Sequence, residues 1–266
     1  LGLDHISVCH EDSIRYLQEM ESVDWIFIDP ARRDGRGGKT VAISDCEPDV
    51  SALEDLLLEK APHVLVKLSP MLDLALALHD LKHVQVAHIV SVNNECKELL
   101  LVLGRETHLS SEEVPIHCIN LMTSQTTQCL LFTRQQEKEY SCPYTSTLKT
   151  YLYEPNASIL KAGAFRSVSS IYNVEKLHPN SHLYTSDEYI PDFPGRRFLI
   201  TGSSSLNKKE LKELLGTGKK ANLTVRNFPA SVAELRKRLK LAEGGDTYLF
   251  ATTLANEKKM LIICQP

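Results

Sequence analysis

The residues with the sharpest chemical content lie in one run, Asp24-Trp25-Ile26-Phe27-Ile28-Asp29-Pro30-Ala31-Arg32-Arg33. A compact apolar stretch that stops at Asp-Pro reads as a buried parallel strand with a carboxylate and a stiff turn at its carboxyl end. In open α/β sheets that end of the strands is where ligands bind. Asp29 can accept a hydrogen bond from an amine there, and Pro30 rigidifies the backbone that carries it. Arg32 and Arg33 follow directly. Their guanidinium groups offer a rigid fork of donors suited to phosphate, and they suit a solvated loop with local salt bridges equally well. Lys67 closes a second apolar run ahead of Ser69-Pro70. It can contact a phosphate or a cofactor, or simply face solvent. Glu11-Asp12 follows a short alternating stretch, residues 5–9, that reads as a strand, and Asp12 is well suited to cap a following helix.

The elements that must position these residues alternate in type. The pattern predicts strands at 23–28 and 63–68, with helices at 13–20, 49–60 and 71–81; Leu53, Leu56 and Leu57 share a face of the middle one. Strands follow at 84–92, 99–103, 116–122 and 128–133. Such alternation indicates an α/β domain with a mainly parallel sheet. The later strands succeed one another without helices, so that edge is expected to be antiparallel. Residues 134–150 read as a polar linker, 156–172 as one helix, and 191–195 as a second boundary. The remainder reads strand 197–201, helix 206–215, strand 221–226, helix 231–239 and strands 247–252 and 259–264, a small α+β sandwich. The Asn93-Asn94-Glu95-Cys96-Lys97-Glu98 stretch reads as a sheet-edge turn rather than a catalytic thiol, since no histidine is paired with it.

Composition excludes several classes. The 266 residues are 42% hydrophobic and 24% charged, as in an ordinary globular protein. No apolar run approaches the roughly 18–20 residues of a membrane span. The seven cysteines form no C-x-x-C pair and the ten histidines show no ligand spacing, so neither a disulfide framework nor a metal is assigned. Reduced thiols fit a cytoplasmic protein. Gly38-Lys39-Thr40 has the ending of a phosphate-binding P-loop, but the motif's first glycine would fall at Arg33. Charge is uneven. Residues 196–266 carry 14 Lys and Arg against 6 Asp and Glu, leaving 16 against 28 for the rest. A basic tail domain on an acidic body suits a polyanionic partner. Arg226, Arg236 and Arg238 are its candidate phosphate contacts, and a normally solvated basic surface accounts for the same residues.

The strings Trp25–Arg33 (WIFIDPARR), Val66–Asp73 (VKLSPMLD) and Glu95–Glu98 (ECKE) resemble a Bacteroidetes-type family of class I methyltransferases. So do YEPNASILKAGAF at 153–165, LYTS at 183–186, and the stretch 221–246 with NLTVRNFP and LRKRLKLAEGGD. The resemblance covers almost the whole chain. It implies the C-terminal half of a Rossmann-like methyltransferase sheet over 1–148, a ferredoxin-like segment over 149–194 and an α+β THUMP-like domain over 195–266. It implies S-adenosyl-L-methionine (SAM) as cofactor, with Glu11, Asp12 and Asp29 near it, and Asp29 and Pro30 shaping the target site. It further implies RNA, either rRNA or tRNA, as the substrate contacted by Arg32, Arg33, Lys67 and the basic domain. The family's glycine-rich cofactor loop does not precede Leu1. The chain is therefore expected to enter the sheet at its third strand, to be inactive alone and to expose a sheet edge. A protein or small-molecule acceptor, and a non-catalytic RNA-binding scaffold, stand as alternatives.

Overall fold

The computed structural model describes residues 5–32, 42–123, 126–207, 210 and 220–266. Two compact units divide the chain: residues 1–90 with 96–117, and residues 91–95 with 118–266.

The first unit opens with α1 (Ser13–Glu19), then β1 (Trp25–Ile28), β2 (Ala31–Arg32) and β3 (Cys46–Glu47), which pair antiparallel as a short ribbon. Helix α2 (Val50–Lys60), β4 (His63–Leu68) and α3 (Leu74–Asp80) follow, then β5 (Val84–Val92) and β6 (Glu95–Gly104). Each helix starts on an aspartate. Asp12, Asp49 and Asp73 accept from backbone N–H groups of the first turns, satisfying donors that have no intrahelical partner. Within the first unit the sheet order is β1-β4-β6-β5; β7 (Ile116–Leu121) and β8 (Thr127–Phe132) follow in the chain. Strands β1 and β4 are parallel, with Ile28 opposite Val66, whereas β4 and β6 are antiparallel. Antiparallel pairing, expected at one edge of a mainly parallel sheet, instead reaches the interior strand β4, and the parallel pair β1–β4 lies at the edge. Val64, Val66 and Leu68 alternate with partly exposed neighbours, and Leu99, Leu101 and Leu103 of β6 are buried beside them. Glu54 of α2 is buried too, and its carboxylate accepts from the Lys82 and His83 amides at the start of β5. That ties the helix to the sheet without leaving a charge unsatisfied.

Asn93 and Asn94 both lie in the left-handed region, φ 47° and 64°, and turn β5 into β6 in two residues. Asparagine tolerates that conformation, as a tight hairpin requires.

Beyond β8, the second unit runs α4 (Arg134–Glu139), β9 (Tyr151–Pro155), α5 (Ala157–Ala162), α6 (Phe165–Tyr172), β10 (Glu175–Lys176) and β11 (Tyr184–Ser186). It closes with β12 (Gly195–Ser204), β13 (Asn222–Arg226), α7 (Val232–Leu239), β14 (Tyr248–Thr253) and β15 (Lys259–Gln265). Seven of these strands form one sheet in the order β10-β11-β9-β12-β15-β14-β13. Both of its faces are covered. Leu152, Phe198, Phe250 and Ile262 pack on one side, and Leu223, Leu235, Leu249 and Ile263 on the other. Double coverage explains the near-continuous apolar runs of β14 and β15.

Three sequence expectations are corrected. Residues 5–9 are not a strand: the segment pairs with no neighbour among the described residues, and Val8 is 90% exposed. Alternation alone does not make a strand without a partner edge. The single helix expected over 156–172 is two, because Gly163 ends α5 in the left-handed conformation (φ 73°). The expected linker over 134–150 contains α4, nucleated by a capping box between Thr133 and Gln136. The helix expected over 206–215 falls mostly outside the described residues.

Candidate functional site

Parallel pairing puts the carboxyl ends of β1 and β4 side by side, and the two charged residues just there meet. The Lys67 ammonium donates to Asp29 Oδ2 at 2.6 Å. Glu98 on antiparallel β6 comes within 3.9 Å of the same ammonium. The hydrogen bond from Lys67 to Asp29, reinforced by the Glu98 charge, holds the lysine above its ordinary pKa, so it stays a cation. Both partners of the pair keep solvent access, while Pro30 is buried immediately behind Asp29. Asp29 Oδ1 has no partner among the described residues. The arrangement is an acceptor oxygen, anchored by its neighbour, standing at the ligand edge of a parallel strand pair.

Beside β1 lies an apolar groove of about 370 Å³, walled by Ile14 and Tyr16 of α1, Trp25 and Phe27 of β1, and Leu53 of α2. Trp25 stacks on His63 at 4.8 Å between ring centroids.

The other expected site residues are dispersed. Asp12 spends Oδ1 on the Arg15 amide at 2.9 Å as the cap of α1, and does not end a strand. Its contribution at that point is helix capping, and Glu11 beside it is exposed. The backbone of Arg32 lies in β2, and Arg33 falls outside the described residues. Arg226 sits at the end of β13 with its guanidinium on Glu154 Oε1, at 3.0 and 2.8 Å. Arg196 grips the other oxygen of the same carboxylate, with Nε at 2.7 Å. Glu154 is 2% exposed, so two cations compensate one buried acid. Arg236 is likewise engaged, donating to the Ala221 carbonyl at 3.1 Å. Arg238 is exposed, as are Lys237 and Lys240 around it.

Sequence reasoning missed Glu98 and Glu154 as partners. Glu154 had a legible signal, an acid inside the otherwise apolar run Tyr151-Leu152-Tyr153. Among the described residues no group of three or more His, Cys, Asp or Glu could hold a metal ion, and no helix is long and apolar enough to cross a membrane.

Family comparison accounts for this second unit. The profile of a ferredoxin-like domain matches residues 151–194, and that of a THUMP-like domain matches residues 195–266. The chain carries a ferredoxin-like domain followed by a THUMP-like domain. A crystal structure of a "putative methyltransferase" from Porphyromonas gingivalis is similar over 91% of this chain, with 44% sequence identity and a TM-score of 0.84. This chain spans 59% of that protein's length. No curated protein matches it. The resemblance drawn from the motif strings, and the mixed α/β fold it implied, therefore hold. Among the described basic residues of the THUMP-like domain, the partly exposed Arg196 and Arg226 hold the buried Glu154, while Lys237, Arg238 and Lys240 face solvent at the end of α7.

Proposed function

We propose that this protein belongs to a SAM-dependent methyltransferase acting on RNA, rRNA or tRNA, in the cytoplasm. The observation that carries the reading is the Asp29–Lys67 pair at the carboxyl ends of adjacent parallel strands, in a chain similar over nine-tenths of its length to the "putative methyltransferase" of Porphyromonas gingivalis. The THUMP-like domain, with its exposed basic end, supports a polyanionic acceptor.

The described residues fit part of the cofactor. Asp12 retains one carboxylate oxygen for an adenine amine, and an apolar groove begins at the next residue, Ser13. SAM supplies an electrophilic methyl group when bound, and the reactivity is the cofactor's own. This chain's residues then position the acceptor. Asp29 Oδ1 accepts a hydrogen bond from the acceptor amine and orients its lone pair. Lys67 holds the carboxylate in one geometry, and Pro30 restricts the turn. Arg32 and Arg33, and independently the exposed cations of α7, are the side chains assigned to substrate phosphates.

Transfer of labelled methyl from SAM into total RNA and total protein, by the full-length protein and its Asp29→Ala variant, tests this. Label in RNA that is lost in the variant supports the reading. Label in protein overturns the RNA acceptor and keeps the enzyme class. Absence of SAM binding by calorimetry overturns the class itself.

A further inference from the structure

A second concave site lies in the second unit. It is a cleft of about 520 Å³ bordered by β12 and lined by Gln128, Tyr151, Tyr189, Arg196, Arg197 and Tyr248, among others. That size falls within the roughly 300–1,000 Å³ usual for small-ligand sites. The tyrosines here differ from their neighbours. Tyr153 and Tyr184 are buried, and their hydroxyls donate to the Glu188 and Phe165 carbonyls. Tyr189 is 55% exposed, and Tyr151 and Tyr248 are partly so. The rings of Tyr151 and Tyr189 lie 5.5 Å apart and tilted. The Arg197 guanidinium covers Tyr189 at 5.7 Å and is held from behind by the Pro191 carbonyl. Arg196 shares Glu154 with Arg226, so one carboxylate faces two guanidinium groups and a positive excess remains. The described lining contains two arginine side chains and no acidic side chain. Gln128 braces the floor, donating to the Gly195 carbonyl at 3.1 Å and accepting from Asn120 and Asn156.

Planar aromatic faces alongside fixed guanidinium groups are the chemistry that binds unpaired bases and their phosphates. A base inside a duplex is already stacked and cannot offer its faces to these rings. We infer that this cleft binds unpaired nucleotides of a single-stranded RNA segment, with Tyr189 and Arg197 stacking on bases and Arg196 facing phosphate. The inference rests on the RNA reading above and narrows it: the substrate presents a single-stranded stretch to the ferredoxin-like and THUMP-like domains.

Fluorescence anisotropy with a labelled, unstructured RNA dodecamer, and with the same strand in a duplex, tests this at fixed salt. The proteins compared are the whole chain and its Tyr189→Ala, Tyr189→Phe and Arg197→Gln variants. A Lys237→Gln/Arg238→Gln variant probes the helix end separately. Tyr189→Ala is expected to weaken single-strand binding about tenfold, to leave duplex binding unchanged, and to be rescued by Tyr189→Phe. Tyr189 is exposed, so melting temperature is expected to stay constant across the set. Single-strand binding that survives both Tyr189→Ala and Arg197→Gln overturns the cleft and leaves the RNA reading standing. Equal weakening of single strand and duplex by Tyr189→Ala also overturns stacking. Failure of the unsubstituted protein to bind either RNA overturns the RNA reading and the cleft with it.

Discussion

Two carboxylates in this molecule meet cations, and burial sets them apart. Asp29 and Lys67 in the first unit form a single contact with solvent at hand. Glu154 in the second unit is sealed between Arg196 and Arg226. An exposed pair contributes little to stability and can release one partner to a ligand at small cost. A buried carboxylate must keep its hydrogen bonds or bear the full desolvation penalty. The first arrangement suits a site and the second suits a brace. Residue type alone does not distinguish them, since both are an acid beside a basic side chain.

The contrast can be broken most forcefully at Glu154. Glu154→Ala leaves two guanidinium groups facing each other without compensation, and is expected to cost about 3 kcal/mol or more. Urea unfolding measures it, and a cost below 1 kcal/mol would erase the distinction. Asp29→Ala is expected to leave the unfolding midpoint within about 0.5 kcal/mol of the parent. Methyl transfer by the full-length protein is expected to fall by about a hundredfold.

A weaker effect separates the units by pH. His182 stacks on Phe165 at 3.8 Å, and its buried Nδ1 has no hydrogen-bond partner among the described residues. Burial, with Lys176 and Arg226 nearby, pushes it down to about 4. The unfolded chain therefore binds the proton more readily than the folded one below the ordinary histidine value. The stability that the neutral ring permits is complete above about pH 6.5 and is lost as pH falls toward 4. Denaturant midpoints between pH 4 and 7 should show this slope, and His182→Phe should flatten it. The smallest effect belongs to Lys67. Its pKa is raised, so its contribution is present below the ordinary lysine range and fades only in strong alkali. Lys67→Met should accordingly lower the midpoint by one small amount that is the same at every pH between 5 and 8.

Much of the first unit was legible because its strands are short apolar runs closed by Asp29-Pro30 and Ser69-Pro70, and because Asp49 marks a helix start. The meeting of Asp29 with Lys67 was not legible. It depends on the parallel register that sets Ile28 opposite Val66 across 38 residues of chain. The alternation at residues 5–9 misled, because a period of two states a preference that only a neighbouring strand can realise. The helical stripe across 156–172 concealed Gly163, whose freedom at positive φ overrides the periodicity around it. Helix α4 carries a local signal, the Thr133–Gln136 capping box, but no apolar stripe to set it apart from a polar connection. Arg226 looked like a phosphate ligand since its partner, Glu154, lies 72 residues away. Nothing local in the sequence announces such a pairing.

The seam between the ferredoxin-like and THUMP-like domains falls at Gly195, and there the two are stitched strand to strand. Gly195 lies opposite Pro155, and a Cβ on it would collide with the Glu154 carbonyl. What two sequence profiles count as separate modules is therefore one piece of cloth. A gene cut at that codon would tear a sheet down its middle, stripping β9 and β12 of each other. Shuffling of this architecture should move the pair together, and chimaeras that exchange one half should precipitate unless the matching strand travels with it.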